Sequence, residues 1–168
     1  MENDKPHDGH GEPQHGVETH GTKAYVVFWL SLGANAVLMF LFMFVMINTW
    51  RAFVFNLNFV YMALVMAAPM GILMLASMPR MYNDRKKNLI SYGVLVVVLV
   101  VSFAFIRNQT FVGDKAFLDS MIPHHSGAIL MCRKAKLTDP EIKGLCHSIE
   151  KSQQDEIDQM RRIKARLP

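Results

Sequence analysis

From Ala24 to Asn48 the chain runs for 25 residues without a charged side chain. A helix needs about 20 apolar residues to cross a bilayer core, so this stretch predicts a membrane span acting as an uncleaved anchor. Tyr25, Trp29 and Trp50 stand near its ends, where interfacial aromatics anchor a span. A second apolar run covers 59–78, with Pro69 inside it predicting a kink, and a third, rich in Val, covers 89–106. The mean hydropathy of +0.17 fits this reading and argues against a wholly soluble chain. Three spans place the two ends of the chain on opposite faces.

The loop over 79–88 carries Arg80, Arg85, Lys86 and Lys87, whereas the connection between the first two spans carries only Arg51. The positive-inside bias makes that loop cytoplasmic. The localisation expected is a bacterial inner membrane, with the N-terminus in the cytoplasm and residues 107–168 in the periplasm. Residues 1–23 hold His7, His10, His15 and His20 among Gly, Pro and acidic residues, a composition that buries no core and reads as a disordered tail able to capture metal weakly. The net charge of +4 is spread along the chain without a basic patch interleaved with aromatics, so no nucleic-acid partner is expected.

Residues 107–168 have the composition of a water-soluble module. Asp114 is placed to cap a helix reaching about Lys136, and Thr138-Asp139-Pro140-Glu141 supplies cap, first-turn Pro and first-turn acid for a second helix reaching about Arg166. The fold class expected is all-α: three transmembrane helices over 24–106, then a soluble antiparallel helical hairpin. On its first helix Leu118, Met121, His125, Ala128, Cys132 and Ala135 follow an a/d spacing, with Phe117, His124 and Met131 one step aside. On the second, Cys146, Ile149, Gln153, Glu156, Met160, Ile163 and Leu167 do the same. Folding about residue 138 sets His125 near Gln153 and Met121 near Glu156.

Soft thioether and imidazole donors select copper, Cu(I) above all, over hard cations. Met121, His125, Met160 and Glu156 therefore form a candidate metal site. A hydrogen-bonded core His and Met as packing filler are the plain alternative for the same residues. The stretch 117–125 (FLDSMIPHH), with Ala128 and Met131, Asp139-Pro140-Glu141, and 153–160 (QQDEIDQM), resembles domain-of-unknown-function family 305 over residues 114–167. The resemblance implies a ferritin-like helical fold, often duplicated, associated with periplasmic copper binding and copper tolerance. By position it marks Met121, His124, His125, Met131, Gln153, Glu156 and Met160, and leaves Cys132, Cys146 and His147 outside the pattern.

Met62, Met66, Met70, Met74 and Met78 recur every fourth residue in the second span, a line that is either packing surface or a Cu(I) ladder. The layout is similar to Ctr-type copper transporters, but the expected orientation is opposite and the third span lacks G-x-x-x-G.

The function expected is non-enzymatic: periplasmic copper buffering, sensing or handover to copper-handling partner proteins. Carboxylates are too few for di-iron chemistry, and no nucleophile arrangement is visible. The alternatives are an assembly subunit whose hairpin only oligomerises, with Gln153 and His125 fixing register, and Cu(I) translocation along the Met line. A two-helix seam cannot enclose itself, so a homodimer closing a four-helix bundle is expected. Cys132 and Cys146 fall at nearly one height across the seam, as a disulfide or as thiolates added to the copper site.

Overall fold

The computed structural model describes residues 15–168, with side chains from Thr22 onward. Five helices follow in order: α1 (His15–Phe42), α2 (Leu57–Ser77), α3 (Arg85–Asn108), α4 (Asp114–Lys134) and α5 (Pro140–Arg166). Two short 3-10 turns, Met43–Met46 and Trp50–Ala52, lie in the connection between α1 and α2, and the described residues contain no strand. Thr22–Met46, Leu57–Ser77 and Arg85–Asn108 are long and apolar enough to cross a membrane.

α2 is the central helix, packed against both α1 and α3. Its buried face is a line of small residues, Ala63, Ala67, Ala68 and Gly71, ending in Leu75. Small side chains let helix backbones approach where lipid gives no hydrophobic drive to associate. The closest approach is at Gly71, where an added Cβ would lie 3.0 Å from Leu32 and 3.1 Å from Leu95, so all three helices meet there. Phe28, Leu75, Tyr82 and Leu95 complete this core, and the ring of Phe28 meets that of Tyr82 edge-on at 5.6 Å.

Polar groups gather at the two ends of the bundle. At one end Asp84 caps α3 by accepting from the backbone N–H of Lys86 and Lys87, and the Tyr25 hydroxyl donates to Asn88 Oδ1 at 2.7 Å. At the other end the connection between α1 and α2 receives α4. Ser126 Oγ accepts from the Asn48 backbone N–H at 2.8 Å, and Ser120 Oγ donates to the fully buried Asn56 at 2.8 Å. The Tyr61 hydroxyl donates to the Thr110 carbonyl at 3.0 Å. Between α3 and α4 the chain turns a corner through Gln109 and Phe111, both with positive φ (49° and 61°), a conformation L side chains adopt at a cost.

Three expectations are corrected. α1 begins at His15, so the tail assigned to 1–23 is helical from that residue, because extending an established helix costs little per residue even past Gly16 and Gly21. His7 and His10 lie outside the described residues. The cap of α4 is Gly113, with Asp114 inside the first turn, where its carboxylate meets the positive end of the helix. On α4 the buried stripe is Leu118, Ile122, His125, Ser126 and Ile129, wider than the seam drawn from the sequence, because α4 packs on the α1–α2 connection as well as on α5.

Candidate functional site

α5 starts where the sequence says it should. Asp139 Oδ1 accepts from the N–H groups of Glu141 (2.8 Å) and Ile142 (3.1 Å), and Pro140 occupies the first turn, where its missing donor leaves nothing unpaired. The helix then runs back along α4, with four side-chain pairs linking them. Cys132 and Cys146 form a disulfide with Cα atoms 5.3 Å apart, Arg133 Nε meets Glu150 at 3.0 Å, His125 meets Glu156 at 2.6 Å, and Lys164 pairs with Asp119.

These pairs do not centre on residue 138. Their midpoints lie one to about three and a half residues further along, so His125 faces Glu156 instead of Gln153. The reason is the link itself: Ala135 and Asp139 are extended, and an extended residue advances about 3.3 Å against 1.5 Å in a helix. The chain climbs past the end of α4 before α5 begins. The first turns of α5 therefore overhang, leaving Ile142 and Leu145 exposed.

His125 is the most buried of the candidate ligands. It is 6% exposed, and its Nδ1 lies 2.9 Å from the Met121 carbonyl. A carbonyl only accepts, so Nδ1 carries a proton and Nε2 is the nitrogen turned across the seam. That nitrogen lies 2.6 Å from Glu156 Oε2, within hydrogen-bond distance of the carboxylate. Fixing one imidazole nitrogen on a carbonyl so that the other is presented is also how metal-binding His residues are oriented.

The remaining candidates differ in exposure. Met121 and Met160 are half-buried, as is Gln153, and His124 is exposed with its ring 5.9 Å from that of His125. Met131 is 59% exposed; at 100° per residue it points about 120° away from His125. Among the described residues no three His, Cys, Asp or Glu side chains converge as a metal-holding group. Any soft-metal site here draws on the thioethers. The cysteines, closed in a disulfide, supply no thiolate.

Sequence reading missed Ser120 and Ser126, which fasten α4 to the connection. A signal was available: Ile122, Ser126 and Ile129 follow at i, i+4 and i+7, a second stripe whose polar member announces a contact outside the hairpin.

Residues 105–164 match the family model described as "Domain of unknown function (DUF305)", so this part of the chain is a domain of that family. It is also 37% identical over 110 residues to "Uncharacterized protein L153" of Acanthamoeba polyphaga mimivirus, covering 64% of this chain and 70% of the viral one. A match of that length exceeds the hairpin and takes in part of the apolar helices before it. No solved structure matches the chain.

Proposed function

We propose that the chain is a membrane-anchored, non-enzymatic copper-binding protein, with α1, α2 and α3 crossing the bilayer and the hairpin holding Cu(I) for buffering, sensing or handover to a copper-handling partner. The location proposed is a bacterial inner membrane, with the hairpin in the periplasm. Arg80, Arg85, Lys86 and Lys87 mark the opposite, cytoplasmic end, and a disulfide in the hairpin belongs in an oxidising compartment.

The observation that carries the copper reading is His125, buried, with Nδ1 held by the Met121 carbonyl and Nε2 turned across the seam to Glu156, while half-buried Met121 and Met160 lie one helical turn from that pair on the two helices. A metal at Nε2 must displace the contact that this nitrogen makes with Glu156. The test is Cu(I) titration of the full chain in detergent, with folding followed by helicity. His125→Ala, Met121→Ala and Met160→Ala are each expected to weaken binding at least about tenfold, a loss that disturbing even a ligand's supporting residue produces. His147→Ala, exposed and on another face, is expected to change little. Equal effects from all four would refute the site.

A second reading has its own observation: both ring nitrogens of His125 are already partnered, as befits a buried pair that fixes register in an assembly subunit. Absence of specific Cu(I) binding would select it. Translocation along the Met line requires a neighbouring chain, because Met62, Met66, Met70 and Met78 face outward from the three-helix bundle.

A further inference from the structure

A pocket of about 360 Å³ opens where the connection between α1 and α2 meets the hairpin, a volume in the range of small-molecule sites. Asn48, Trp50 and Arg51 form one wall, and Gln154 and Arg161 of α5 form the other. Its floor is apolar and closed, made by the buried Ile129 and Ile157. Two guanidinium groups thus border one concave space.

The charges around it do not cancel. Arg51 has no hydrogen bond or ion pair among the described residues. Arg161 has one weak carboxylate contact, to Asp158 on its own helix at 3.5 Å, and Asp158 also accepts from Gln154 Nε2 at 3.3 Å. One carboxylate on the rim leaves an excess of positive charge facing the pocket. Planar guanidinium groups with amide donors beside them are the donor set that matches phosphate oxygens.

The position along the chain adds a second argument. Asn48 to Arg51 follow directly on the 25-residue apolar helix that ends at Met46, and Trp50 is 88% exposed beside them. A Trp at the end of a membrane span sits at headgroup level, where lipid phosphates are densest.

We infer that this pocket binds a phosphate-bearing anion, clamped between Arg51 and Arg161, whose source is the headgroup of an anionic lipid or phosphate in solution. The inference shares with the copper reading only the placement of the apolar helices in a bilayer, and none of its residues is a copper candidate. Bound there, the anion ties α5 to the connection.

The test uses the full chain in detergent with Trp29→Phe, which leaves Trp50 as the sole tryptophan reporter. Trp50 emission is followed while dihexanoyl phosphatidylglycerol, dihexanoyl phosphatidylcholine or inorganic phosphate is added. A saturable response to phosphatidylglycerol, tenfold tighter than to the zwitterionic lipid and to inorganic phosphate, supports the site with a lipid source. Saturation by inorganic phosphate as tight as by the lipid supports it with a soluble source. Arg51→Ala and Arg161→Ala are each expected to weaken binding tenfold, and Asp158→Asn, which frees Arg161, to tighten it severalfold. Absence of any saturable response, or an unchanged response in the double Arg variant, overturns the inference. Should that double variant lose helicity, Asp158→Asn decides, and a response no tighter than wild type overturns it as well.

Discussion

The helices α1, α2 and α3 bury large rings and branched chains around Phe28, Leu75 and Leu95, whereas α5, 27 residues long, buries only Ile157. If α1 to α3 cross a bilayer, as proposed, outward Val, Leu and Met side chains meet lipid at no cost, and close packing of small residues supplies cohesion. The hairpin, in water, has too little apolar surface to close on itself. It is held by a disulfide, by pairs such as His125 with Glu156 and Asp119 with Lys164, and by the hydrogen bonds that Ser120 donates to Asn56 and Ser126 accepts from Asn48. Packing holds one region; redox state and charge hold much of the other.

The sharpest test of that contrast is Phe28→Ala. Emptying a fully buried ring site is expected to cost about 3–5 kcal/mol, read as loss of helicity at lower sodium dodecyl sulfate in mixed micelles. A loss near zero would mean that the bundle is not held by its core. Reducing the Cys132–Cys146 bond comes next, at about 3 kcal/mol for so short a loop, with faster amide exchange confined to α4 and α5. Equal acceleration in α2 would erase the distinction between the regions. Denatured, unreduced protein is expected to show no free thiol.

Assembly separates the regions in another way. Phe117, Met131, Ile142 and Leu145 are exposed on the hairpin, and two chains pairing these helices into a four-helix bundle are expected to scatter light as a dimer in detergent at micromolar concentration. Asp139→Ala is a smaller perturbation, about 1 kcal/mol through the lost cap of α5, visible as fraying of its first turn in amide exchange.

The least effect belongs to Asp84. Accepting the Lys87 N–H, with Lys87's ammonium beside it, holds this carboxyl below the usual carboxylate range. A depressed folded value means that its contribution is complete above the unfolded pKa and is lost only as pH falls through the lower folded one. The first turn of α3 is therefore expected to stay protected while ordinary carboxylates protonate; fraying at pH 4 to 5, measured by amide exchange, would contradict the cap.

The apolar helices were legible because an uncharged run of 25 residues has few other uses, and the start of α5 because Asp139-Pro140-Glu141 writes cap, proline and acid in order. Register across the hairpin was not, since it depends on how far the extended link at Ala135 to Asp139 carries the chain, which no periodicity records. His125 was found by its spacing, yet its partner was taken as Gln153 because of that shift. The docking of α4 onto the connection between α1 and α2 escaped because a lone Ser at helical spacing, such as Ser126, reads equally as a surface residue.

Only five residues, 109–113, separate the end of α3 from the start of α4, and two of them hold left-handed conformations. Fully drawn out, such a link spans about 17 Å, and His125 lies about 16 Å further along α4. With α3 crossing a bilayer, as proposed, the imidazole is leashed to within a few tens of ångströms of the lipid surface. If the hairpin carries a metal as proposed, a membrane-bound donor or acceptor meets it in a thin layer along the membrane. In that layer meetings depend on how many partners share the same sheet of lipid, not on their concentration in bulk.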